Sequence, residues 1–156
     1  KKKSEIVYPP IDISKYGIGN GNKKYSLVVS RLERYKKVDL VINTFNILNV
    51  PLKIVGKGTL EKELKKISNN NIEFLGNVSD VELIRIYQEC IAVIVPQKED
   101  YGLVPLEANA CGKPVICYGY GGVETTMIPW NDTNVSLGTA LFFFQQTINF
   151  LMKKHK

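Results

Sequence analysis

The feature that most limits the fold of this chain is the changing period of its apolar residues. YSLVVS (25–30), LKIVG (52–56), NIEFLG (71–76), IAVIVP (91–96), PVICYG (114–119) and ALFFF (140–144) are short apolar runs with little polar alternation. Such runs read as strands buried on both faces. Between them the period switches to that of a helix. Val38, Val41, Ile42, Phe45 and Leu48 share one face, and Leu60, Leu64 and Ile67 mark another. Ser79 and Asp80 can cap a third helix carrying Leu83, Ile86, Tyr87 and Cys90. QQTINFLMKK (145–154) reads as a last helix. Strand and helix repeated in this order predict a mainly parallel six-stranded sheet covered on both faces, with right-handed crossovers.

The expected fold class is therefore α/β: one Rossmann-like, three-layer α/β/α domain over residues 1–156. At 44% hydrophobic and 23% charged, the chain can fill such a core and is not a disordered segment. No apolar run approaches the roughly 18 residues of a membrane span. The opening KKKSEIVYPP has charge but no apolar stretch after it, so a signal peptide is not expected. Cys90, Cys111 and Cys117 are odd in number, lack CxxC spacing and have no nearby histidine. Reduced core thiols in the cytoplasm are the expectation, rather than a disulfide framework or a zinc site. The net charge of +6 favours anionic partners, among them phosphates and acidic lipid headgroups. A lysine-rich solvated surface explains it equally.

In a parallel sheet, ligands bind at the carboxyl ends of the strands beside a topological switch point, so the residues just after each strand carry the information. After the first strand, Arg31 and Lys36 (or Lys37) follow within SRLERYKK. They can hold a phosphate pair, Arg through a two-pronged contact and Lys as a point charge, or belong to a solvated charge run. After the second strand comes GKG (56–58). Glu61 stands where the dinucleotide fingerprint needs a third glycine, so Gly56 and Gly58 mark a tight turn or a close approach of backbone to ligand.

After the fourth strand comes EDYGLVPLEANACGKPVI (99–116). On one continuous helix Glu99 and Glu107 would stand about 12 Å apart along the axis and about 80° apart around it. If the helix begins near Leu103, Glu99 lies on the loop and Glu107 one turn in, and both can face one cleft. Gly102 then lets the chain turn, and the N–H groups of Leu103 and Val104 form an anion site. Two acids flanking a phosphate site suit a diphosphate between two hydroxyl-rich sugars. A glycosidase acid pair and two plain surface acids are the other readings of this spacing. After the fifth strand, GYGGVET (119–125) is either a ligand-hugging loop or a turn, with Glu124 binding a hydroxyl or capping it.

Taken together, SRL-x-x-x-K (30–36), IVGKG (54–58), FLG-x-V (74–78), the E-x7-E stretch, GKPVI (112–116), GYGGVET and YPPID (8–12) resemble the C-terminal, nucleotide-sugar-binding domain of the family 4 retaining glycosyltransferases. Those enzymes have the GT-B fold, and the likeness runs from about residue 6 to residue 151. The resemblance implies that Arg31 and Lys36 hold the donor diphosphate and that Glu99 binds the donor sugar. The backbone at Tyr101, Gly102 and Leu103 would meet sugar and phosphate, and Val104 would line the pocket. Glu107 would bind the ribose. The Gly56–Gly58 turn and the loop from Leu75 to Val78 would flank the base. No cofactor or metal is implied, because the Arg/Lys pair takes over charge neutralisation. The implied donor is a UDP- or GDP-sugar.

The resemblance also implies what must accompany this domain. The family's N-terminal acceptor domain, or a partner subunit replacing it, completes the active site, and the domain alone should catalyse little. Residues 125–138 depart from the family pattern, and Ala140 stands where glycine is common. The runner-up reading is a non-catalytic nucleotide-sugar subunit or sensor. A nucleic-acid-binding role is not expected, since only Tyr25 and Tyr35 stand near the basic cluster. The expected location is cytoplasmic, with room for peripheral contact at an anionic membrane face.

Overall fold

A computed structural model describes residues 7, 9–19, 24–130 and 138–144. Six strands form one sheet: β1 (Tyr25–Val29), β2 (Leu52–Val55), β3 (Ile72–Gly76), β4 (Cys90–Val95), β5 (Val115–Tyr118) and β6 (Ala140–Phe143). Every pairing is parallel, and the spatial order is β3-β2-β1-β4-β5-β6. The helices are α1 (Val38–Leu48), α2 (Glu61–Ile67), α3 (Asp80–Glu89), α4 (Leu103–Ala110) and α5 (Val123–Thr126). The predicted last helix, residues 145–154, lies outside the described residues, as do residues 131–137 of the divergent 125–138 stretch.

The pleat divides the strand side chains between two cores. Val28, Leu52, Ile54 and Ile94 pack with Val38, Val41, Ile42 and Phe45 of α1 and Leu64 of α2. Leu27, Val93, Val95, Val115 and Cys117 pack with Ile86 and Tyr87 of α3 and Ala108 of α4. Helices thus cover both faces, and each fully buried Val, Leu or Ile contributes about 1.5–3 kcal/mol of transfer free energy. The Ser79 hydroxyl accepts from the Glu82 N–H at 3.3 Å and starts α3 as its sequence predicts. A short 3-10 turn, Arg34–Lys36, precedes α1; the strand and helix periods do not reveal it.

The chain runs outward from β1 to β3, then returns through α3 to lay β4 on the other side of β1. The loops after β1 and β4 therefore leave the sheet in opposite directions, and a crevice opens between them.

Candidate functional site

A cleft of about 600 Å³ occupies that crevice. Val29, Ser30, Arg31 and Lys36 border it from the β1 side, and Val55, Gly56 and Lys57 from the end of β2. Asn77 follows β3. Glu99, Tyr101, Gly102, Leu103 and Val104 close it from the β4–α4 side. Residues up to 75 positions apart meet here because four parallel strands end along one edge.

Glycines decide how these loops fit, by letting them press on one another. Gly56 has φ +125°, and a Cβ there would stand 1.9 Å from the Ser30 carbonyl oxygen. A Cβ on Gly58 would stand 2.3 Å from the Leu32 oxygen. Leu32 is fully buried, donates to the Lys57 oxygen at 2.9 Å and accepts from the Leu60 N–H at 3.0 Å. Beside it the Glu33 carboxylate accepts from the Thr59 N–H at 3.0 Å and from the Thr59 hydroxyl at 2.7 Å. These two bonds hold the Glu33 carboxyl below its ordinary range. The segment carrying Arg31 is thus fastened to the β2–α2 loop on both sides of Leu32.

The acid loop is held the same way. Gly122 donates to the Glu99 oxygen at 2.7 Å, and a Cβ on Gly121 would stand 2.2 Å from that oxygen. Of the two roles open to Glu124, the structure displays the cap: its carboxylate accepts from the Gly121 N–H at 2.7 Å. α4 begins at Leu103 after Gly102, whose φ of +90° turns the chain into the helix. Its first two residues, Leu103 and Val104, border the cleft, and a helix N-terminus favours a nearby anion by about 0.3–1 kcal/mol.

Charge is arranged in two pairs. The Lys36 ammonium donates to Glu99 Oε1 at 3.1 Å, each side chain being 16% exposed. Gln97, itself buried, donates to the same oxygen. Arg31 Nη2 donates to the Tyr35 hydroxyl. Lys36, rather than Lys37, is the lysine that turns inward. Lys37 is exposed and takes the left-handed conformation that caps α1.

Glu107 lies one turn deeper in α4. Its Oε2 accepts from the Tyr87 hydroxyl at 2.8 Å, and the Tyr16 phenol stands beside the same carboxylate. Burial, reinforced by that carboxylate, pushes Tyr16 up to about 12 and raises Tyr87 strongly. The structure brings Arg31, Lys36, Gly56, Glu99, Tyr101, Gly102, Leu103 and Val104 around one cleft. It does not set Glu107, Gly58, Leu75 or Val78 among the residues bordering it. Gly58 packs on Leu32, while Leu75 and Val78 pack against the core cluster that holds Tyr87.

Sequence reasoning missed Lys57, Asn77 and Gln97. Lys57 had a signal, lying between two glycines directly after a strand; Gln97 and Asn77 had only their positions after β4 and β3. The three cysteines are free and buried, and burial pushes the Cys90 and Cys117 thiols up to about 12. Among the described residues no helix is long and apolar enough to cross a membrane, and no three His, Cys, Asp or Glu side chains gather as a metal site.

Comparison with known proteins places this cleft in context. An uncharacterized glycosyltransferase of Methanocaldococcus jannaschii is 32% identical over 113 residues, covering 69% of this chain and 32% of its own length. A GDP-mannose-dependent monoacylated alpha-(1-6)-phosphatidylinositol monomannoside mannosyltransferase of Corynebacterium glutamicum is 33% identical over 89 residues, covering 50% of this chain and 23% of its own. The chain thus spans about a third or less of the curated relatives it matches. Among solved structures, Anabaena HepE in complex with UDP and glucose superposes with a TM-score of 0.79 at 20% identity, covering 96% of this chain and 45% of that one. The C-terminal domain of a group 1 family glycosyl transferase from Francisella tularensis superposes at 0.67 with 18% identity, covering 94% of this chain and 86% of that one. The fold is that of the Rossmann-like half of a GT-B glycosyltransferase. Residues 12–143, from the first turn to the last described strand, match the family described as glycosyl transferases group 1, and the chain belongs to that family.

Proposed function

We propose that this domain binds a nucleoside-diphosphate sugar and that, with a second domain from a longer chain or a partner subunit, it transfers a hexose to an acceptor with retention of configuration. The observation that carries this reading is the convergence of Arg31, Lys36 and the start of α4 on the cleft that also holds Glu99. Two cations and a helix N-terminus suit a diphosphate, and the carboxylate suits sugar hydroxyls. The UDP bound by HepE and the GDP-mannose of the mannosyltransferase support a UDP- or GDP-sugar as donor.

In this reading the chemistry is the departure of the diphosphate. Negative charge grows on the leaving oxygen in the transition state, where fixed donors are most effective. Arg31 and Lys36 supply the positive charge without a metal. The ammonium of Lys36 has three N–H donors, so it can keep Glu99 oriented while meeting a phosphate oxygen. Glu99 orients the donor sugar; Glu107, one turn deeper in α4 and not bordering the cleft, is assigned to the ribose on the resemblance alone.

The test is thermal stabilisation by UDP, GDP, ADP and CMP and then by their sugar conjugates, since a ligand of the folded state raises Tm. One nucleoside diphosphate should stabilise the chain, with a Kd of roughly 10 μM to 1 mM. Arg31→Ala and Lys36→Ala should each weaken it by about 1.5–3 kcal/mol, the range for hydrogen bonds to charged groups. Stabilisation by none at millimolar concentration, in this chain and in a two-domain form, refutes the reading.

A further inference from the structure

Tyr35 is a large aromatic residue left 53% exposed at the rim of the cleft, where it contributes nothing to either core. It lies in the 3-10 turn Arg34–Lys36, four residues after Arg31 and one before Lys36. The turn carries its ring to both cations. The Arg31 Cζ stands 5.8 Å from the ring centroid and the Lys36 Nζ 5.3 Å. Its hydroxyl accepts a hydrogen bond from Arg31 Nη2.

The two cations are therefore partnered differently. Lys36 is paired with an anion, Glu99, at 3.1 Å, which offsets its charge. Arg31 is held by a neutral group. A phenol oxygen takes one of its five N–H donors and leaves the positive charge whole, with donors remaining for an incoming anion. An aromatic face near both cations also eases their mutual repulsion, because its quadrupole attracts each. Among the described residues no carboxylate forms an ion pair with Arg31; Glu33 is near enough to feel its charge, but its oxygens accept from Thr59.

We propose that Tyr35 is a positioning residue that holds the Arg31 guanidinium ready for a diphosphate without neutralising it. The proposal rests on the donor-site reading above. Arg31 has several rotatable bonds and an exposed side chain, so holding it in advance removes part of the entropy lost when ligand binds.

The experiment is a double-mutant cycle on the full chain, with inorganic pyrophosphate and UDP as probes. Binding is measured for the unmodified chain, Tyr35→Phe, Tyr35→Leu, Arg31→Ala and Arg31→Ala/Tyr35→Phe. Tyr35→Phe keeps the ring and should weaken both probes about 3- to 10-fold, Tyr35→Leu more, at unchanged Tm. In the Arg31→Ala background, Tyr35→Phe should have no further effect, an outcome that a generally loosened loop would not give. If Arg31→Ala loses affinity and Tyr35→Phe does not, or if Tyr35→Phe costs the same in both backgrounds, the positioning role is overturned while the donor site stands. If the unmodified chain binds neither probe, or Arg31→Ala binds as well as it does, the donor site itself falls and this proposal with it.

Discussion

Replacing Gly56 by alanine tests the claim that glycines here seat one loop on another. The new Cβ would sit 1.9 Å from the Ser30 carbonyl oxygen. It must retreat by about 1.5 Å to reach an ordinary van der Waals separation. Two backbone hydrogen bonds cross this point, from Ser30 N to the Val55 oxygen at 3.0 Å and from Gly56 N to the Gly76 oxygen at 2.7 Å. Losing both costs about 1–3 kcal/mol, and a side chain at positive φ adds roughly 1–2 kcal/mol. The expected destabilisation is about 2–5 kcal/mol, or roughly 4–20 °C in Tm for a domain of this size.

Gly112→Ala is the matched control. Gly112 also has positive φ, +69°, but its nearest neighbour is the Ile18 Cγ2 at 3.3 Å. Ile18 is 85% exposed and can yield. Only the backbone conformation is penalised, about 1–2 kcal/mol or roughly 2–8 °C. The assay is thermal or urea unfolding of both variants. Pyrophosphate binding, measured well below both Tm values, should fall in Gly56→Ala alone, because Ser30 must move and Arg31 moves with it. If Gly56→Ala melts no lower than Gly112→Ala, the loop-seating argument is wrong.

Glu107→Gln should weaken nucleosides as well as nucleotides by about 1 kcal/mol or more, since a charged acceptor becomes neutral. Nucleoside binding left untouched by calorimetry would take the ribose away from Glu107. Stability should also fall in alkali. Cys90 and Cys117 have folded pKa values of about 12 against an ordinary 9. Above pH 9 the unfolded chain ionises these thiols while the folded chain keeps them neutral, so stability is full below pH 9 and lost as pH rises towards 12. The loss approaches about 1.4 kcal/mol per thiol for each pH unit. Cys117→Val should flatten that slope in urea titrations between pH 8 and 11, and an unchanged slope would show that other groups cause it.

The period of the apolar residues was enough to read six strands, because strands buried on both faces carry continuous apolar runs and the intervening helices do not. Their edges moved by a residue or two. Gly56 follows β2 rather than ending it, and Cys90 opens β4 instead of closing α3. The strand order was not legible. Parallel pairing leaves no mark on sequence that distinguishes β4 beside β1 from β4 beside β3. Yet that choice creates the crevice. It also brings Lys36 to Glu99 across 63 positions.

The glycines show why loops are harder to read than strands. GKG and GYGG each read as either a turn or a close approach, and a missing Cβ does not say what approaches. In both places the neighbour is a backbone carbonyl of the next loop, Ser30 for Gly56 and Glu99 for Gly121. Two of the residues the resemblance assigns to diphosphate and sugar, Arg31 and Glu99, sit next to or on those carbonyls. Glu107 did carry a legible signal. Tyr87 falls on the apolar face of α3 with Leu83 and Ile86, so its hydroxyl had to be buried and had to find an acceptor. The acid at 107, placed in an otherwise apolar helix, is that acceptor. A carboxylate that already receives one buried hydroxyl is fixed in orientation before any ligand arrives. Glu107 is therefore built to present its remaining capacity in one direction, and Glu99 is fixed on the same principle at the cleft wall, where Lys36 and Gln97 both donate to its Oε1.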